Sequence, residues 1–172
     1  NEGLMETIDT IMTRRSIRRF KPAAIPEDDL RTILEAGRQA PSAANRQPWH
    51  IVVVGDAELR QRVAQACNGQ MWMADAAYIL VACGLPQVSA KWYQVDVAIA
   101  MENIVLAAHS LGYGTCWIGA FDPQEVRRLC GIPEDLAIVA CSPLGVPDSN
   151  PPARARKEWR QIFSRDTFGT AL

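Results

Sequence analysis

Twenty consecutive residues, Trp92 to Leu111, contain neither proline nor glycine and place apolar side chains on nearly every face of the helix they predict. A surface helix carries a single apolar stripe, so this segment is expected to run through the centre of a domain, covered on several sides. The chain has 172 residues, which argues for one domain spanning 1–172. Area scaling gives a folded surface of roughly 8,000 Å² against roughly 28,000 Å² unfolded, enough burial to enclose such a helix.

The remaining segments read as shorter elements around it. Met5, Ile8, Ile11 and Met12 have helical spacing within Leu4 to Thr13. Pro26 followed by Glu27, Asp28 and Asp29 predicts a helix start, with Leu30, Ile33 and Leu34 inward and an end near Gln39. A small, amide-rich loop from Pro41 to Pro48 leads into a strand over Ile51 to Val54. Asp56 caps a helix from Ala57 to about Cys67, and Ala76 to Cys83 is a buried strand. Gly112 and Gly114 end the long helix before a strand over Thr115 to Ile118, and Asp122-Pro123-Gln124-Glu125 opens a helix that Gly131 terminates. A last strand, Ala137 to Leu144, precedes Gly145 to Pro152, which reads as irregular. Residues 148–172 have too few apolar side chains for a core and are expected to lie as an arm on another surface.

Charge is nearly balanced, 18 cations against 19 acids, which removes the general cationic field that binds nucleic acid or anionic membrane. Its distribution is uneven. Arg14, Arg15, Arg18, Arg19 and Lys21 form one basic segment and Arg154, Arg156, Lys157, Arg160 and Arg165 another. No apolar run approaches the ~18 residues of a membrane span and the N-terminal region lacks a signal-peptide core, so a cytoplasmic protein is expected, with Asn1 read as a processed start. Five cysteines, an odd number with no Cys-x-x-Cys pair, read as buried thiols, and two histidines cannot complete a metal site with them.

Chemistry by a protein nucleophile is poorly supported, since there is no Gly-x-Ser-x-Gly elbow and no convincing Cys–His pair. Gly112-x-Gly114 fails as a dinucleotide fingerprint: Trp117 replaces the third glycine, and the segment enters a strand rather than leaving one. An RNA-binding role for residues 14–21 lacks interleaved aromatic residues. The two arginine clusters with the amide loop suit a phosphorylated, flat organic cofactor, because guanidinium forks bind a phosphate dianion bidentately and Ser and Asn hold polar edges.

Four segments together resemble the FMN-dependent nitroreductase family: Thr13-Arg14-Arg15-Ser16-Ile17-Arg18-Arg19-Phe20, Ala40 to Trp49, Gly112 to Gly119, and Pro143-Leu144-Gly145-Val146-Pro147. The resemblance covers about residues 5–165. It implies an α+β fold with a central mixed sheet flanked by helices, and an intertwined homodimer with two FMN sites at the interface and the arm crossing to the partner subunit. Carried over by position, Arg14, Arg15, Ser16 and Arg18 correspond to the segment that binds phosphate, ribityl chain and pyrimidine edge, joined at the phosphate by Arg154 and Arg156. Pro41, Ser42, Ala43 and Asn45 correspond to the second subunit's contribution, Gln70 to a polar flavin contact, and Ile118, Gly119 and Ala120 to backbone contacts with the isoalloxazine ring.

The implied activity is transfer of electrons from NADH or NADPH to a nitroaromatic, quinone or similar flat acceptor in a ping-pong cycle. No catalytic side chain is implied, because the cofactor carries the chemistry. The alternatives are a relative acting on flavin or on a halogenated aromatic, and a flavin-binding protein without turnover. Only about eight residues, Gly84 to Lys91, separate the second strand from the long helix; larger members insert substrate-covering segments in this region, so an open pocket is expected.

Overall fold

The computed structural model describes residues 6–172, so Leu4 and Met5 of the expected first helix lie outside the described residues. The chain runs α1 (Thr7–Thr13), β1 (Phe20–Lys21), α2 (Glu27–Arg38), β2 (Trp49–Val54), α3 (Ala57–Ala66), β3 (Tyr78–Gly84), α4 (Tyr93–Ser110), β4 (Gly114–Thr115), α5 (Pro123–Cys130) and β5 (Ala137–Pro147), with 3-10 turns at Ala43–Asn45, Met71–Asp75 and Trp159–Gln161. Helix starts follow their caps: the Asp56 carboxylate accepts from the Leu59 N–H, and Asp122 accepts from the N–H groups of Gln124 and Glu125. Gly131 closes α5 in the left-handed conformation at φ 63°.

The sheet order is β1-β5-β3-β2, with β4 also on β5. Side chains alternate along β3: Ile79, Val81 and Cys83 enter the core shared with α3 and α5, while Leu80 and Ala82 enter the core shared with α2 and α4. The α+β architecture is therefore a sheet with helices on both faces. Its ladders differ from the mixed sheet expected. Each is antiparallel, and the one parallel pairing among the described residues is the isolated Ser16–Thr115 bridge. The reason lies in the connections: α3 and the Met71–Asp75 turn return the chain to the end of the sheet where β2 stopped, so β3 runs back along it.

Three further expectations are corrected. β5 continues through Gly145, Val146 and Pro147, because β4 pairs with Gly145 and β1 with Val146 and Pro147. The strand expected over Thr115 to Ile118 shrinks to Gly114–Thr115, after which Ile118 makes only a bridge to Cys141. The long helix is buried along Val97, Ala100, Met101, Ile104, Val105 and Ala108, yet Trp92 before it and Val95 in its first turn are 44 % and 48 % exposed. Ile8, Ile11 and Met12 of α1 also face outward. The single chain exposes 10405 Å², about 2,000 Å² above the scaling for a compact monomer of its mass.

Candidate functional site

The first basic segment leaves α1 in extended conformation and is laid against β4. The Ile17 N–H donates to the Thr115 carbonyl at 2.9 Å, and Ser16 bridges Thr115. This close approach depends on Gly114, where an added Cβ would stand 2.8 Å from the Cβ of Ile17. With Ile17 inward, Arg14, Arg15, Ser16 and Arg18 all line one cleft of about 640 Å³. Pro151, Pro152 and Ala153 bring the second basic segment along the other wall, so Arg154 and Arg156 line the same cleft. Six of the residues expected to bind cofactor, from opposite ends of the chain, thus converge.

The cleft is cationic and its donors are largely available. Among the described residues, Arg18 and Arg154 donate to no side chain or carbonyl, and Arg156 donates only to carbonyls of its own loop, Arg154 and Ala155. The Arg15 guanidinium reaches the Met12 and Arg14 carbonyls. One acid lines the cleft, Glu102 of α4, with Oε1 at 3.9 Å from Arg14 Nε. Sequence reasoning missed Glu102, Leu106 and the apolar Ile11 and Met12 of this lining. For Glu102 the signal was available, since Asp96 and Glu102 are the two acids in a mostly apolar helix.

The other expected residues fall into three places. Ile118, Gly119 and Ala120 follow the strand that Ser16 bridges; Ile118 is buried, Gly119 and Ala120 are exposed, and a Cβ on Gly119 would meet nothing within 4 Å. Gln70 lies before the Met71–Asp75 turn and donates to the Cys67 carbonyl at 3.0 Å; Trp72 of that turn stacks on Phe20. Neither group is among the cleft-lining residues. Pro41, Ser42, Ala43 and Asn45 stand apart from the cleft, beside the first turn of α4, where the Ala43 N–H donates to both oxygens of the buried Asp96 carboxylate at 3.2 and 3.3 Å. Ala44, Asn45 and Gln47 of this loop adopt left-handed φ of 52°, 54° and 51°, each costing about 1–2 kcal/mol for a residue with a Cβ.

Two titratable groups lie next to the first basic segment. His109, one turn beyond Leu106, makes a 3.0 Å hydrogen bond with Thr13, and burial with the Arg14 and Arg15 charges pulls its pKa down. Burial pushes the Cys116 thiol up, partly offset by Arg18, Ser16 and Arg14. A protonated thiol is no nucleophile. The cysteines expected to be buried are so except Cys130, which is half-buried, and all five are free.

These features fit a phosphorylated, flat cofactor such as FMN. The volume lies in the range of small-molecule sites, ~300–1,000 Å³, and the available guanidiniums suit a dianion. The sequence profile described as "Nitroreductase family" matches residues 11–85 and 68–146. An NADPH-flavin oxidoreductase of Vibrio harveyi is 36% identical over 166 residues, 87% of this chain and 69% of that protein. Among solved structures, a nitroreductase family protein from Clostridium novyi NT superposes with a TM-score of 0.80 at 35% identity, over 98% of this chain and 97% of that one. The NADPH:FMN oxidoreductase from Vibrio harveyi complexed with NAD+ does so with a TM-score of 0.87 at 31% identity, over 94% and 77%.

Proposed function

Because the chain belongs to the nitroreductase family, we propose that it is an FMN-dependent oxidoreductase that draws electrons from NADH or NADPH and passes them to nitroaromatic, quinone or similar flat acceptors in a ping-pong cycle. The observation that carries the reading is the meeting of Arg14, Arg15, Arg18, Arg154 and Arg156 in one cleft. FMN, when bound, supplies the redox chemistry. The chain supplies binding and electrostatics. Arg14, Arg15, Arg154 and Arg156 hold the phosphate, Ser16 offers a hydroxyl to the polyol, and Arg18 favours negative charge near the ring.

The site is completed by a homodimer. Three observations support this: surface in excess of a compact monomer, an arm with Trp159 and Phe168 63 % and 104 % exposed, and the loop of Pro41, Ser42, Ala43 and Asn45 held in a strained shape away from its own cleft. The partner subunit's loop would close the cleft with these residues, and Gln70 with Ile118 to Ala120 would form the ring wall. A cytoplasmic location, with its pool of NADH and NADPH, belongs to the same reading.

A second reading, reduction of free flavin, is favoured by the Vibrio harveyi relative's name. Steady-state kinetics of the FMN-loaded protein test both. Parallel double-reciprocal lines with a nitroaromatic or quinone acceptor are expected; intersecting lines would contradict the ping-pong cycle, and turnover with free FMN alone would favour the second reading.

A further inference from the structure

We propose that Glu102 is a positioning residue that ties the phosphate end of the cleft to the wall at Ile118–Gly119, and that its charge sets how strongly the cleft prefers a phosphorylated ligand. The inference rests on the FMN reading above. Glu102 projects from α4 on the same stripe as Leu106 and His109, the stripe that faces the first basic segment. Its two oxygens are divided. Oε2 accepts the Trp117 indole N–H at 2.9 Å, and Oε1 faces Arg14 Nε at 3.9 Å.

Trp117 is the residue whose neighbours point elsewhere. Cys116 and Ile118 pack into the core on the α3 and α5 side, whereas Trp117 packs on the α4 side. The indole is thus the anchor that attaches this segment to α4, and Gly119 follows two residues later. The Arg14–Glu102 pair is loose and partly solvated, with side chains 22% and 44% exposed, so it adds little to stability. Its consequence is electrostatic: the one carboxylate in a five-arginine cleft weakens the field that a phosphate dianion meets.

The two halves separate by substitution. Glu102→Gln keeps an acceptor for the indole and removes the charge, Glu102→Ala removes both, and Trp117→Phe removes the donor. The probes are FMN and riboflavin, titrated by flavin fluorescence, and the Trp117 indole N–H resonance, assigned from Trp117→Phe and read in flavin-free protein. Glu102→Gln is expected to leave the resonance and riboflavin affinity in place and tighten FMN about five-fold, the size for one screened unit charge. Glu102→Ala should shift the resonance and weaken riboflavin, with FMN weakened less because the lost charge favours it, and Trp117→Phe should weaken both. An unmoved resonance in Glu102→Ala overturns the anchor, and equal FMN and riboflavin responses in Glu102→Gln overturn the charge role. Failure of the unaltered protein to bind either flavin would instead overturn the FMN reading, and this inference with it, while the resonance would still report the anchor.

Discussion

Arg14 and Arg156 come from segments more than a hundred residues apart and line one cleft, so each should act on the ligand's phosphate alone. Replacing either with Ala is expected to weaken FMN by about 1.5–3 kcal/mol, the worth of a charge-assisted hydrogen bond, and to leave riboflavin nearly unchanged; equal losses for both would remove phosphate recognition. His109 gives a pH prediction. Its folded pKa is lowered from 6.5 by burial, Arg14 and Arg15, so the unfolded chain takes up the proton more readily. The stability this neutral imidazole contributes is present above about pH 6.5 and lost as pH falls through and below that value. Thermal unfolding of His109→Gln should therefore depend less on pH over the acid side of that window, and an unchanged slope would contradict it. Neither this variant nor Cys116→Ser is expected to slow flavin reduction at matched occupancy, since neither group performs proton or nucleophile chemistry.

At the scale of elements, Gly114 links fold to site. The β-branched Ile17 fills the space its missing side chain leaves, so Gly114→Ala must move the basic segment bodily, at about 1–3 kcal/mol for overpacking. Calorimetry and FMN titration should show stability and affinity falling together; a destabilised protein with full affinity would separate the two. From sequence, Gly114 reads as a helix terminator and as part of the Gly112 to Gly119 segment of the family resemblance, but its close approach to Ile17 is not legible, because that partner lies far along the chain. The capped helices were legible to within about a residue, Asp56 and Asp122 supplying local signals. β1 was not, nor was the continuation of β5, since a two-residue strand and a Gly-Val-Pro strand end are held by pairing with distant segments, Val146 and Pro147 with β1 and Gly145 with β4. The arginines of the candidate site were legible as clusters, but that they share a cleft is a tertiary fact, as is the place of Glu102.

The whole molecule exposes what a single chain has no means to bury. Trp159 and Phe163 of the arm pack on each other, 4.3 Å between ring centroids, and both remain exposed. Deleting residues 148–172 removes Arg154 and Arg156 from the cleft and these apolar anchors from the proposed partner contact. The expected result is a lower melting temperature, lower FMN occupancy and loss of the dimer in sedimentation; a stable, flavin-loaded monomer after truncation would contradict the dimeric account.

The central claim, that an arginine-lined cleft holds FMN for reaction with a nicotinamide donor, is tested most directly by anaerobic titration of the FMN-loaded protein with NADH and with NADPH, following the flavin's visible absorbance. The account predicts that at least one donor bleaches the flavin stoichiometrically, one equivalent per subunit, and that colour returns on adding a quinone or nitroaromatic. Retention of the yellow colour with both donors, in protein carrying one FMN per subunit, would contradict it.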